Sequence, residues 1–181
     1  MDQHDEHEHE GDDQPGHDHV PGDKVNLDAI PEELRERKHW VCWQLDIRNG
    51  KPTKVPKDPK HPTRNAAVDD PSTWGTFEQA VKTYSHGRMR GIGLVLVADD
   101  NLIVFDLDHC REAETGVIEK WAMNIITTLG SYTEISPSGT GIHIFVRGSL
   151  PGKRRRKGQV EVYESGRYMT VTGWTLEGSQ S

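Results

Sequence analysis

The chain is 181 residues long, 33% hydrophobic and 28% charged, enough for one modest core and too little for two full domains. No apolar run approaches the roughly 18 residues a bilayer span requires, the first twenty residues lack the basic and apolar regions of a signal peptide, and the two cysteines, Cys42 and Cys110, build neither a disulfide framework nor a multi-cysteine zinc site; a cytoplasmic protein without membrane contact is expected. The net charge of -7 conceals a division, because Met1 to Val20 carries eight acids and no Lys or Arg, which leaves the remainder near neutral and able to hold local basic patches.

Those first twenty residues also hold five of the ten histidines, His4, His7, His9, His17 and His19, with almost no apolar side chains. Such a stretch cannot offset the entropy of folding and reads as a disordered tail over 1–25. Its imidazoles can chelate a soft divalent metal, although a solvated acidic tail is the reading preferred. From Asp28 the pattern becomes globular, and a domain is expected over 28–176, with 177–181 as a C-terminal tail.

Pro31 suits a first helical residue, and Glu32 and Glu33 suit the N-terminus of a helix running to about Lys38. Trp40 to Leu45 and Lys51 to Val55 predict two strands joined by a type I′ turn at Asn49-Gly50. Thr76 and Gln79 form a capping box for a helix to about Ser85, stopped by Gly87. Gly91 to Val97 and Leu102 to Asp108 predict two antiparallel strands around a turn at Asp99-Asp100-Asn101. Val117 to Leu129 predicts a helix ended by Gly130, and strands follow at Tyr132 to Ile135, Gly141 to Val146, Gln159 to Tyr163 and Tyr168 to Thr172. Helices interspersed with hairpin-linked strands predict an α+β fold, a mixed or antiparallel sheet with helices packed on one side.

Four segments carry chemistry. In Leu102 to Asp108, period-two alternation sends Asp106 and Asp108 to one face and Ile103, Phe105 and Leu107 to the other, setting two carboxylates about 7 Å apart along the strand, a spacing at which they can share hard cations. In Ser136-Pro137-Ser138-Gly139-Thr140-Gly141-Ile142-His143, two glycines free the backbone to form an anion-holding concavity, the hydroxyls of Ser136, Ser138 and Thr140 add donors, and His143 points away from the core toward the aspartates; a plain hairpin loop with a surface histidine fits equally well. Val160-Glu161-Val162 places a third acid on a short strand. After a turn at Glu164-Ser165-Gly166, Arg167 is suited to grip a phosphate and Tyr168 to pack on a base or to be an ordinary strand aromatic.

Two basic features suit a polyanion: Lys153-Arg154-Arg155-Arg156-Lys157, and the period-three lysines Lys51, Lys54, Lys57 and Lys60 among Pro52, Pro56, Pro59 and Pro62, which a polyproline II segment would line up on one side.

Taken in order, Asp-Leu-Asp at 106–108, Ser-Pro-Ser-Gly-Thr-Gly-Ile-His at 136–143 and Glu-Val-Tyr-Glu-Ser-Gly-Arg-Tyr at 161–168 resemble the primase-polymerase domain of phage and plasmid replication proteins, of the archaeo-eukaryotic primase superfamily. The resemblance runs from about Trp40 through Gly173 and includes Trp40-Val41-Cys42-Trp43, Lys54-Val55-Pro56 and Ser131-Tyr132-Thr133-Glu134-Ile135. It implies a catalytic core with an RNA-recognition-motif-like sheet and an additional α/β unit, and a DNA primase and polymerase activity. Asp106, Asp108 and Glu161 would be the ligands of two divalent metals, Mg²⁺ or Mn²⁺, and would be catalytic together with His143. Ser136, Ser138 and His143 would bind the incoming nucleotide, with Arg167 and Lys54 neutralising its triphosphate.

The implied partners are a single-stranded DNA template, nucleoside triphosphates and a helicase. Members of the family continue into a helical region and a helicase, so primer initiation is expected to need elements beyond Ser181 more than primer extension does. The alternatives are a non-catalytic single-stranded nucleic-acid or nucleotide binding module and, less favoured, a tyrosine-dependent initiator nuclease, whose His-x-His motif occurs only in the tail.

Overall fold

The computed structural model describes residues 24–98, 100–151 and 156–176. The histidine-rich tail through Asp23, and Lys153, Arg154 and Arg155 of the basic cluster, lie outside the described residues. The described strands make two sheets in which every pairing is antiparallel. Strands β1 (Trp40–Arg48), β2 (Lys51–Lys57), β3 (Gly91–Leu96) and β9 (Arg167–Val171) form a four-stranded sheet in the order β2-β1-β3-β9. Strands β4 (Leu102–Leu107), β5 (Thr133–Ile135), β6 (Ile142–Arg147), β7 (Arg156–Lys157) and β8 (Val160–Tyr163) form a five-stranded sheet in the order β5-β6-β4-β8-β7. Among the described residues three α-helices accompany them, α1 (Glu32–Arg35), α2 (Phe77–Ser85) and α3 (Lys120–Leu129).

Local chemistry accounts for most of these elements. Asn49 and Gly50 have φ of 50° and 72°, the positive values a type I′ turn demands, and close the β1–β2 hairpin. At α2, Thr76 Oγ1 accepts from the Gln79 N–H at 3.3 Å while Gln79 Oε1 accepts from the Thr76 N–H at 3.0 Å, completing the capping box. Gly130 ends α3 with φ of 52°. That helix starts at Lys120 rather than Val117, because Val117 to Glu119 is pinned to Cys110–Glu112 by backbone hydrogen bonds and an Arg111–Ile118 bridge.

Two expectations are corrected. Strands β3 and β4 do not pair with each other: the turn between them carries the chain from one sheet to the other, and two sheets stand where one was expected. Apolar periodicity shows that a strand is buried, and leaves its partner open. The helices also do not share one side, since α3 covers the five-stranded sheet while α2 packs against β1 and β3.

A further correction concerns the proline-spaced lysines. Residues 51–57 form a strand of period two, so Lys51 and Lys57 face one way and Lys54 the other. Lys57 is buried and donates to Asn65 Oδ1 at 2.7 Å, and Lys60 donates to the Ser72 carbonyl at 2.8 Å. Pro52 and Pro56 are accommodated because β2 is an edge strand, where a missing N–H breaks no ladder.

The five-stranded sheet is buried on both faces. Phe105, Leu107, Ile142, Ile144 and Val146 pack with Ala122 and Ile126 of α3. On the other face Leu102, Val104 and Phe145 join Trp40, Ile92, Leu94, Met169 and Val171 of the four-stranded sheet in the main core. The aspartate side of β4 is therefore not a free surface, as the alternation alone suggested; half of it is core. Cys42 and Cys110 are free and buried, and burial pushes their thiols up to about 12 and about 11, which makes both inert. Among the described residues no helix is long and apolar enough to cross a membrane.

Beyond β9 the chain closes the structure. The Ile135 N–H donates to the Trp174 carbonyl at 2.8 Å and Glu134 bridges to Thr175, so this run lies along β5. The Asn26 N–H donates to the Thr172 carbonyl at 2.8 Å, and the Trp174 indole donates to the Lys24 carbonyl at 2.9 Å. Between them Gly173 has φ of 67°, and a Cβ there would stand 1.9 Å from the Asn26 carbonyl oxygen. Gly173→Ala is expected to cost about 2–4 kcal/mol, from the strained φ together with a backbone clash that cannot relax cheaply. Urea unfolding checks this, and a loss under 1 kcal/mol would show that the closure is not rigid.

Candidate active site

Pairing register lines up five residues in one row across the five-stranded sheet: Glu134 on β5, His143 on β6, Asp106 on β4, Glu161 on β8 and Arg156 on β7. Directly opposed residues share a face, so four residues distant in sequence gather around Asp106. The neighbouring row on this face, Val104, Phe145 and Tyr163, is apolar or aromatic and leads into the main core. The site is thus the polar end of a face whose other end is packed.

His143 is only 4% exposed. Its Nδ1 lies 3.1 Å from the Thr170 carbonyl oxygen, and because a carbonyl only accepts, Nδ1 carries the proton. That leaves Nε2 directed at Asp106, whose Oδ1 is 3.7 Å away. Behind the ring stands Glu134, wholly buried, with Oε1 at 3.4 Å from Nδ1. Glu134 Oε1 accepts from the Thr172 N–H at 3.0 Å, and Oε2 accepts from the Gly173 N–H at 3.0 Å and the Tyr132 hydroxyl at 2.8 Å. Three donors and an imidazole satisfy a carboxylate that would otherwise be prohibitive at this depth.

Burial holds the Asp106 carboxyl above the usual carboxylate range; the charges of Asp108 and Glu161 push the same way, while His143 and Arg167 oppose. Asp108, half-buried one step further along, makes no side-chain hydrogen bond or ion pair among the described residues. Glu161 is held on both oxygens. Arg156 Nη1 is 2.9 Å from Oε1, and Oε2 accepts from the Tyr163 hydroxyl with Arg167 Nη1 at 3.6 Å. The Arg167 guanidinium donates to the Tyr163 hydroxyl and lies over its ring, 4.4 Å from the centroid. Burial, with the hydrogen bond to Glu161, pushes the Tyr163 phenol up to about 12.

From the four-stranded sheet comes Lys54. Loss of solvent around its ammonium lowers its pKa and the fields of Asp106 and Asp108 oppose that shift, although the residue as a whole is exposed. Tyr168 donates to the Lys54 carbonyl at 2.8 Å.

The Ser136–Gly141 loop departs from the concavity expected. Only Gly139 has positive φ, at 76°; Gly141 is small because a Cβ there would meet Ser136 Oγ at 2.9 Å and the Leu107 carbonyl at 3.0 Å. Ser136 is buried and spends its hydroxyl on the Gly141 N–H and on Ser138 Oγ, while Ser138 is exposed and bonded on to Thr140 Oγ1 at 3.0 Å. The hydroxyls therefore form a chain of their own, with Ser138 and Thr140 at its outer end.

Sequence reasoning missed Glu134, Arg156 as the partner of Glu161, and Arg111. The buried Arg111 guanidinium donates to the Gly139 carbonyl at 2.9 Å, and the Cys110 and Arg111 N–H groups both donate to the Thr140 carbonyl, fastening the loop to the end of β4. An acid between Thr133 and Ile135 marked Glu134 as a polar residue in a strand without giving it a role; Arg111 offered no signal.

Among the described residues no three His, Cys, Asp or Glu side chains already converge closely enough to hold a metal ion. Asp106 and Asp108 nevertheless offer hard oxygen donors, one with its pKa raised by burial and like charge and the other without a side-chain partner among the described residues, a set that suits a hard divalent cation.

No family model matches the chain. It is 37% identical over 151 residues to the DNA primase-polymerase of Nitratiruptor phage NrS-1, a match covering 80% of this chain and 20% of that protein. The chain thus spans about one fifth of the length of the curated relative it matches. Identity at this level over most of the chain bears out the resemblance that the three motifs suggested.

Proposed function

We propose that this chain, which shares a primase-polymerase-type domain with the phage protein, is a template-directed nucleotidyltransferase that joins nucleotides on a single-stranded DNA template. The observation that carries the reading is the row of Glu134, His143, Asp106 and Glu161, with Asp108 one step beyond it.

In this reading Asp106, Asp108 and Glu161 hold divalent cations, magnesium or manganese, which when bound supply activation of the primer 3′-hydroxyl and neutralisation of the leaving pyrophosphate. Protonated on both nitrogens, His143 presents an Nε2–H donor to the nucleotide phosphates from a ring that cannot swing, since Thr170 and Glu134 fix its far side. Arg167 and Lys54 bring positive charge to the same place from β9 and β2. Ser138 and Thr140 offer hydroxyls at the rim, and Arg156 balances Glu161 from behind. No side chain is required as a covalent nucleophile.

Incubation of the chain with Mn²⁺, labelled nucleotides and single-stranded DNA, with and without an annealed primer, tests this. Template-dependent elongation of the primer is expected. Binding of template without any incorporation would overturn catalysis and leave a binding module.

A further inference from the structure

The β1–β2 hairpin outruns its sheet. Strand β1 pairs with β3 only over Trp40 to Trp43, whereas its pairing with β2 runs from Cys42 to Arg48, so Gln44 to Val55 forms a two-stranded arm. Opposed pairs put Trp43, Leu45 and Ile47 of β1 on one face with Pro56, Lys54 and Pro52 of β2. On that face Leu45 is 46% and Ile47 72% exposed, large apolar side chains with nothing over them. Nearer the body the same face of the sheet is covered by the chain itself, where Ala66 and Trp74 pack on Val41 and Val95.

The bare part is continuous with the acids. The Lys54 ammonium, in the fields of Asp106 and Asp108, stands 5.7 Å over the Trp43 ring. Tyr168 reaches the Lys54 carbonyl by lying across Gly93, where a Cβ would come within 2.9 Å of the phenol ring. From Tyr168, past Lys54 lying over the buried Trp43 ring, to Leu45 and Ile47 this face is aromatic or aliphatic with one cation and no carboxylate. Arg48 and Lys51, an opposed pair, flank the turn at its tip; by register they stand on the other face with Asp46, the arm's one acid.

Resting on the nucleotidyltransferase reading, we propose that this face is a nucleic-acid track: the DNA strand leading away from the acids lays its bases and sugars on Leu45 and Ile47 and then rounds the tip of the arm, where Arg48 and Lys51 beside the turn meet its phosphates. A second copy of the chain is the weaker occupant, because Pro52 and Pro56 prevent the β2 edge from accepting another strand along its length, and two aliphatic side chains are too little apolar area for a stable dimer.

The test uses the whole chain, a fluorescent primer-template and anisotropy, with two double variants at exposed positions. Leu45→Ser with Ile47→Ser is expected to raise the DNA Kd about tenfold, from the loss of two apolar contacts, while the nucleotide KM at saturating primer-template stays unchanged. Arg48→Ala with Lys51→Ala is expected to reduce the slope of log K against log salt by about one to two. Unchanged DNA affinity and salt slope in variants of a chain that binds and extends primers would overturn the track and leave the catalytic reading standing. A loss of dimer in sedimentation at unchanged DNA affinity would overturn it in favour of a second copy. Failure of the unaltered chain to bind DNA or incorporate nucleotides removes the catalytic reading itself, a result distinct from either.

Discussion

Asp108→Asn is expected to lower nucleotide incorporation by about a thousandfold or more, and Asp106→Asn by a similar factor, with neither variant less stable than the parent chain. The asymmetry between activity and stability follows from the surroundings of the two carboxyls. Asp106 is partly buried with Asp108 and Glu161 in its field, so an uncharged amide of the same shape relieves repulsion and desolvation together. Asp108 has no bond to lose among the described residues. Primer extension reads the first effect and thermal unfolding the second. A rise in Tm on adding Mn²⁺ to the parent chain, absent in both variants, would tie the loss to the cation. Retained incorporation by Asp108→Asn would remove that residue from the metal site.

The second large effect concerns the other end of the row. Glu134→Ala is expected to destabilise the chain by about 3–5 kcal/mol, because it abandons two buried backbone N–H groups and the Tyr132 hydroxyl at once. Glu134→Gln keeps the side-chain shape and one oxygen acceptor, and should cost about 1–2 kcal/mol. In the Gln variant the nucleotide KM should rise toward that of His143→Ala measured alongside it, since the imidazole loses the carboxylate that backs it. Denaturant unfolding and steady-state kinetics separate the two consequences. A cost under 1 kcal/mol for the Ala variant would mean that the three donors find water or other partners, and the buttress would be dispensable.

Elements with a chemical signature of their own were legible in the sequence. Asn49-Gly50, the Thr76/Gln79 box and Gly130 each state a backbone requirement within four residues, and each appears where it was expected. Partner choice was not legible in the same way. Strand β3 is buried throughout, which says that both its faces are covered, and says nothing of whether β4 or β9 lies beside it.

The polar row was half visible for the same reason. Asp106, His143 and Glu161 declare themselves as polar residues in apolar strands, but their alignment is a fact of register between β6, β4 and β8 that no local pattern encodes. The lysines at period three show the opposite error: a local rule, proline-driven helicity, yielded to the pairing of β2 with β1, whose period is two. Glu134 went unassigned a role because a carboxylate becomes interpretable at that depth only when its donors are known, and two of them come from Thr172 and Gly173, far along the chain.

The closure between the two ends of the described fold bears on when the site can exist during synthesis. Lys24 and Trp174 are bonded across 150 positions, and Asn26 meets Thr172 beside them. On a ribosome the acids of β4 emerge first among the site residues, followed by β6 with His143, yet the N–H groups that satisfy Glu134 and the carbonyl that orients the imidazole belong to residues 170–173. Until that stretch has cleared the exit tunnel, Glu134 is a charge without its donors and His143 a ring free to turn. A nascent chain therefore carries the acidic pair before the residues that set the histidine, and the run along β5 is the last element the site needs.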